Sequence, residues 1–226
     1  MIWRDQNITV HRSGRKKTMH IVIERDGSIS VQAPESLTDA EILAILDRKE
    51  YEIFQKKALW EETHHQYTEK RFLPGQSFLY LGRNYNLFLM KGQRRNLLFR
   101  DGKFLLSDRA LYPREDFIRF YKRQARTKIL ERIEIYKPQL AAVPQKISIK
   151  EMPTRWGSCT PTGNIYYNWR CVMAPLPILD YLIVHELVHL LHPDHSREFW
   201  LTLSTILPEY SYARDWLKTN GVRLDI

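Results

Sequence analysis

Residues 176–200 read LPILDYLIVHELVHLLHPDHSREFW, and both the fold class and the chemistry of the chain turn on them. From Leu176 to Leu191 the stretch is apolar nearly all round, which marks a helix buried inside a domain. His185, Glu186 and His189 interrupt it in the order His-Glu-x-x-His. At about 100° per residue, histidines four apart lie one turn apart on one face, where two imidazoles can grip one cation. Glu186 is rotated to the flank, where a carboxylate can reach a water beside the cation without ligating it.

A zinc site needs a third protein ligand and leaves one position open. His195 lies six residues after His189, the spacing of the H-E-x-x-H-x-x-G-x-x-H metalloproteases. Pro193 provides the helix break, and His192 stands where those enzymes have glycine. Their Met-turn has no counterpart, since the last methionine is Met173. His192 is the alternative third ligand if the helix continues through it. For a chain of this composition, all three histidines and the glutamate at these spacings arise by accident roughly once in 1,500. A buried polar cluster without an ion explains them poorly, because imidazoles and a carboxylate in apolar surroundings are costly when no cation is present.

Zinc is the expected metal for a nitrogen-rich tetrahedral donor set, with nickel, cobalt and manganese as possible substitutes. Glu186 is expected to take a proton from the attacking water and return it to the leaving group. A developing oxyanion needs a second stabiliser, and Arg155, Arg170, Tyr210 and Tyr212 are the candidates. Glu198 could orient a ligand imidazole from behind. Asp180 and Asp194 could do the same, but read better as capping and solvating residues.

Outward from this core, strand character fills 7–33, with Asp26-Gly27 as a hairpin turn between β-branched runs. Thr38 and Glu41 have capping-box spacing and open a long amphipathic helix over 38 to about 65. Residues 72–107 return to strands, divided at Gly82, Gly92 and Asp101-Gly102. Pro113 starts a helix whose apolar stripe includes Phe117, Tyr121, Ala125, Ile129 and Ile133. Its other face carries Arg119, Lys122, Arg123, Arg126 and Arg132. KISIKEM and NIYYNW are two short strands joined through Arg155-Trp156-Gly157-Ser158-Cys159. A helix stopped at Pro208 follows the histidines, and a last helix is capped by Gly221. No internal repeat is visible. The fold class is α+β, with a β-rich part and one long helix over 1–110 and a second domain over 111–226.

Thirty-five Lys and Arg against 26 Asp and Glu leave a formal charge of +9, which favours anionic partners or is diffuse surface charge. No apolar run reaches the roughly 18–20 residues of a membrane span, and the N-terminus lacks a signal-peptide h-region, so a cytoplasmic protein is expected. The two cysteines, Cys159 and Cys171, flank a hairpin turn. Pairing about Thr162–Gly163 sets Cys159 opposite Tyr166, out of register with Cys171, which fits a reducing compartment.

TRWGSCTPTGNIYYNW (154–169) and DYLIVHELVHLLHPDHSREFW (180–200) resemble the YgjP-like metallopeptidase domain, akin to the SprT-like and WLM zincins. FLYLGRNYNLFL (78–89) resembles the N-terminal half of that family. The resemblance implies a zincin-like domain in which His185, His189 and His195 bind metal and Glu186 is catalytic. It also implies that the hairpin carrying Arg155 and Trp156 borders the cleft. Family labels divide between metallopeptidase and nucleoside triphosphate hydrolase, notably UTP pyrophosphatase. A peptide substrate could lie along NIYYN or KISIK as an added edge strand. The basic excess suits a nucleotide, although no Walker-type glycine loop is present. A nucleic-acid-associated module using the Arg119–Arg132 face is a third reading.

Overall fold

Tight turns between β-branched runs set the first sheet. Strands β1 (Ile2–Trp3), β2 (Gln6–Ser13), β3 (His20–Ile23) and β4 (Ile29–Pro34) take the order β1-β2-β4-β3. β2 and β4 run parallel, and the other pairs are antiparallel. The computed structural model describes residues 1–13, 18–24, 27–64, 70–140, 142–152 and 155–226. Asp26 of the expected turn lies outside them, but β3 and β4 pair as a hairpin, with Ile23 opposite Ile29.

The Thr38–Glu41 capping box forms with both reciprocal bonds. The single helix read from the sequence is two, α1 (Asp39–Arg48) and α2 (Glu50–His64); its expected end near residue 65 falls outside the described residues. Neither glycine nor proline marks the break at Lys49. It lets Ile42 and Leu46 on α1 and Ile53 on α2 join Trp3, Ile29 and Val31 in one core.

That core belongs to a unit spanning Met1–Tyr67; Thr68–Ile226 forms the other. The second unit begins with β5 (Ser77–Tyr80), β6 (Arg83–Met90), β7 (Leu97–Arg100) and β8 (Lys103–Ser107), in the order β5-β6-β8-β7. Helix α3 (Pro113–Tyr136) packs on them through Phe117, which stacks on Phe78 at 4.2 Å between ring centroids. The sequence division near residue 110 would separate these strands from the rest, whereas the structure joins them. Tyr121 of α3 donates to the Leu79 carbonyl at 2.7 Å and stacks on Trp169. Leu81 and Gly82 donate their amides to the carbonyls of Val172 and Met173, each at 2.9 Å. One core therefore runs from Phe78 to Ile226.

A three-stranded sheet follows, of β9 (Lys146–Lys150), β10 (Gly157–Cys159) and β11 (Asn164–Asn168) in the order β10-β11-β9. NIYYN is thus the central strand, and the edges are KISIK and Gly157–Cys159. Both ladder sides of β11 are occupied, so it cannot accept an added strand. The hairpin register also differs by one from the expected: Cys159 faces Ile165, and Ser158 faces Tyr166. The Gly163 amide bonds the Thr160 carbonyl, and Thr160 in turn bonds Asn164, which centres the loop on Thr162.

Helices α4 (Leu176–Val188), α5 (Arg197–Ile206) and α6 (Tyr210–Asn220) complete the fold. Regular α4 ends at Val188, short of Leu191. Leu190 and Leu191 bond three residues back, a tightened last turn before His192, which precedes proline and disfavours helix. The basic face of α3 is partly neutralised. Arg119 pairs with Asp116, and Arg132 grips Asp180 of α4 through two bonds of 2.6 and 2.7 Å. Asp180 is therefore an interhelical anchor and neither caps nor solvates. Among the described residues, no helix is long and apolar enough to cross a membrane.

Replacing Asp180 by alanine should cost about 2–4 kcal/mol, because the half-buried Arg132 guanidinium loses its partner. The double change Arg132→Met with Asp180→Leu should recover most of it. Urea unfolding of the two variants beside the unaltered protein measures both.

Candidate metal centre

Helix α4 is the most buried helix of its unit, and it presents His185, Glu186 and His189 at its C-terminal end. The chain then reverses at Pro193, and Ser196 caps α5 by accepting from the Phe199 amide. That reversal returns His195 to the other two rings. Nitrogens of His185, His189 and His195 all lie within 4.8 Å of one another, and Nε2 of His185 is 3.0 Å from Nε2 of His195. Two nitrogens held at 2.0–2.1 Å by one tetrahedral zinc stand about 3.3 Å apart, so the donor set fits such a cation.

Protonation supports the same fit. Burial, then the neighbouring His189 and His195, pushes His185 down to about 3, which leaves a neutral ring with a lone pair to offer. Its Nδ1 is buried with no hydrogen-bond partner among the described residues. Burial also lowers His189, against the pull of the His192 carbonyl. That carbonyl lies 3.0 Å from His189 Nδ1; with the proton on Nδ1, Nε2 is free to face the other rings. His192 is therefore an orienting residue through its backbone, while its ring bonds Thr202 at 3.0 Å. Glu198, the expected orienter, and Asp194 are both exposed near the start of α5.

Glu186 is 7% exposed. Burial pushes its carboxyl up to about 8, and the positive charge of Arg155 acts against that rise. The side chain occupies the space that Gly157 leaves open: a Cβ at Gly157 would stand 2.5 Å from Oε1 and 2.6 Å from Cγ of Glu186. Glu186 and His185 open into a cavity of about 370 Å³ lined also by Arg155, Trp156, Tyr181 and Arg214. On the other side, His189 borders a second cavity of about 240 Å³ with Cys159, Thr160 and Leu190. Strand β10 runs from one cavity to the other.

The oxyanion candidates separate. Arg155 lines the larger cavity, and Trp156 forms part of its wall. Arg170 does not reach it; its buried guanidinium is held by Glu151 at 3.0 Å and Asp225 at 2.8 Å. Tyr210 stacks on Trp200, which in turn stacks on His195, and Tyr212 is exposed. Sequence reasoning missed Asn168, which is fully buried and donates to the carbonyls of Met152 and Arg155, fixing the backbone that carries Arg155. It missed Gly157, Tyr181, Arg214 and Lys218 as well. Gly221 holds the expected cap position of α6, with a right-handed φ of −57°. What it supplies is a missing side chain, since a Cβ there would come within 2.9 Å of the Trp156 ring.

Three imidazoles beside a buried carboxyl group in a cleft are the equipment of a metal-dependent hydrolase. The chain belongs to the YgjP-like metallopeptidase domain family, whose model matches residues 17–220. No curated protein matches it.

At pH 7, cation binding should release about one proton. His185 and His189 are held neutral and have none to give, whereas Glu186, raised to about 8, changes from acid to carboxylate beside the new charge. Calorimetric titration of zinc in buffers of different ionisation enthalpy measures the release, and Glu186→Gln should reduce it.

Proposed function

We propose that this chain is a zinc-dependent peptidase in which His185, His189 and His195 hold the cation and Glu186 is the general base. The observation that carries the reading is the convergence of the three imidazoles, one of which, His185, shares a cavity wall with Glu186. Nickel, cobalt and manganese suit the same donors less well than zinc. A divalent cation held there supplies Lewis-acid polarisation and a water that is acidic near pH 7.

The chain's own groups do the rest. An extended peptide adds to the open edge of β10, beside Glu186. A Glu186 oxygen takes the proton of the attacking water and passes it to the leaving nitrogen. Arg155, on the same cavity wall, donates to the oxygen that gains charge. The cytoplasm suits the two thiols, of which Cys159 faces Ile165 and Cys171 bonds the Trp156 carbonyl at 3.3 Å.

A second reading is hydrolysis of UTP or a related nucleotide to the monophosphate and pyrophosphate. The basic side chains of Arg155, Arg214 and Lys218 around the same cavity favour it.

Glu186→Gln should lower peptide cleavage by about 10²–10⁴-fold while leaving bound zinc unchanged, and His189→Ala should lose the zinc. Elemental analysis with a quenched-peptide assay separates the two effects; equal cleavage by Glu186→Gln would remove Glu186 as the base. Gly157→Ala should retain the metal and lose most activity, because its methyl group displaces the Glu186 carboxyl. The same preparations offered UTP, with UMP and pyrophosphate measured, test the second reading.

A further inference from the structure

The two cavities that flank the imidazoles differ in charge. The smaller one, beside His189, is lined by Cys159, Thr160, Pro161, Gly163, Leu190 and Pro193, none of them ionised at neutral pH. The larger one, beside His185, carries Arg155, Arg214 and Lys218. Glu186 also opens into it, and Trp156, Tyr181, Leu182 and Leu217 give the rest of its wall an apolar or aromatic surface.

Arg214 and Lys218 stand one turn apart on α6 and share a single carboxylate. Lys218 donates to Asp215 Oδ1 at 2.9 Å, and Arg214 Nε lies 3.6 Å from the same oxygen. Arg214 Nε is buried, with no acceptor at hydrogen-bond distance among the described residues. Arg214 also pulls down the Tyr181 hydroxyl, which burial raises to about 12, so its charge is felt inside the cavity.

Building on the peptidase reading, we propose that this cavity is a carboxylate-binding subsite and that the preferred substrates are peptides bearing a free carboxylate beside the scissile bond. Charge matching supports it. Arg214 and Lys218, set apart from the Arg155 that the peptidase reading gives to the oxyanion, share only Asp215, which leaves an excess suited to one carboxylate. The geometry also suits an extended ligand: β10 joins a charged cavity at Gly157 to an uncharged one at Cys159, so a chain lying along it meets a different surface on each side of the cation. Arg214 and Lys218 act there as specificity-determining residues. The carboxylate can be a side chain or the C-terminus, and both chemistries suit the same guanidinium.

The test uses the zinc-reconstituted full chain and matched peptides with Glu, Gln or Lys at one position, each as free acid and as C-terminal amide. The carboxylate-bearing member of each pair should be favoured at least about tenfold in kcat/KM. A preference for Glu that persists in the amides assigns a side-chain carboxylate; a preference for free acid over amide, whatever the side chain, assigns the terminus. Arg214→Glu should reverse the preference toward Lys, and Arg214→Lys should keep it. Lys218→Glu, at an exposed position, should shift it in the same direction even if Arg214 variants fold poorly. Glu186-dependent cleavage at equal rates for Glu and Gln, acid and amide, would overturn the subsite while leaving the peptidase intact. If no peptide is cleaved, the peptidase reading itself fails; UTP hydrolysis abolished by Arg214→Glu would then assign the cavity to phosphate.

Discussion

Everything at this site depends on keeping uncharged imidazoles and a carboxyl group inside the most apolar helix of the chain. A polar group buried without compensation costs about 1–3 kcal/mol, and several such groups together would rival the stability of a domain. The surroundings meet that cost piece by piece. The His192 carbonyl satisfies one nitrogen of His189, and Phe199 and Trp200 cover His185 and His195 with ring contacts. Arg155 offsets part of the desolvation of Glu186. What remains is the short approach between the Nε2 atoms of His185 and His195, a strain that a cation shared between them would remove.

The sequence exposes the groups that sit on one helix and hides those that meet across the fold. His185, Glu186 and His189 are legible because the helical period alone places them, and Pro193 with His195 is legible because proline forces the reversal. Arg214 and Lys218 are not: α6 reaches the cavity only through packing on α4, and nothing local to the two residues reports it. Arg170 misled for the converse reason. Its position after the RWGSC hairpin suggests the cleft, but Glu151 and Asp225, far from it in sequence, hold its charge in the interior. Asp180 looked like a capping residue because its partner, Arg132, lies 48 positions away. The one-residue error in the hairpin register came from a loop centred on Thr162 instead of between Thr162 and Gly163, a distinction carried by two backbone bonds.

Topology shows a regularity that residue identities do not. Both four-stranded sheets pair first with second antiparallel, second with fourth parallel, and third with fourth antiparallel. Their sequences show no matching repeat, so the likeness lies in the path of the backbone. The consequences for the two sheets differ. The first closes its own core with α1 and α2, whereas the second shares its core with the metal-site helices, through Tyr121 on Trp169 and the amides of Leu81 and Gly82. Strands that look like part of an N-terminal domain are thereby a foundation for the site.

Three consecutive residues then connect that foundation to chemistry. Arg155 contributes charge to the cavity, Trp156 its wall, and Gly157 the gap into which Glu186 fits. Asn168 fixes the segment from beneath, because it bonds the Arg155 carbonyl through its side chain and the Trp156 carbonyl through its amide. Gly221 leaves room for the indole from the opposite side. Any larger residue at Gly157 or Gly221 would have to move the Glu186 carboxyl group or the Trp156 ring, because an added Cβ stands closer than 3.0 Å to them. The site is therefore defined as much by two absent side chains as by the histidines, and a search for its relatives by the histidines alone would miss half of what positions Glu186.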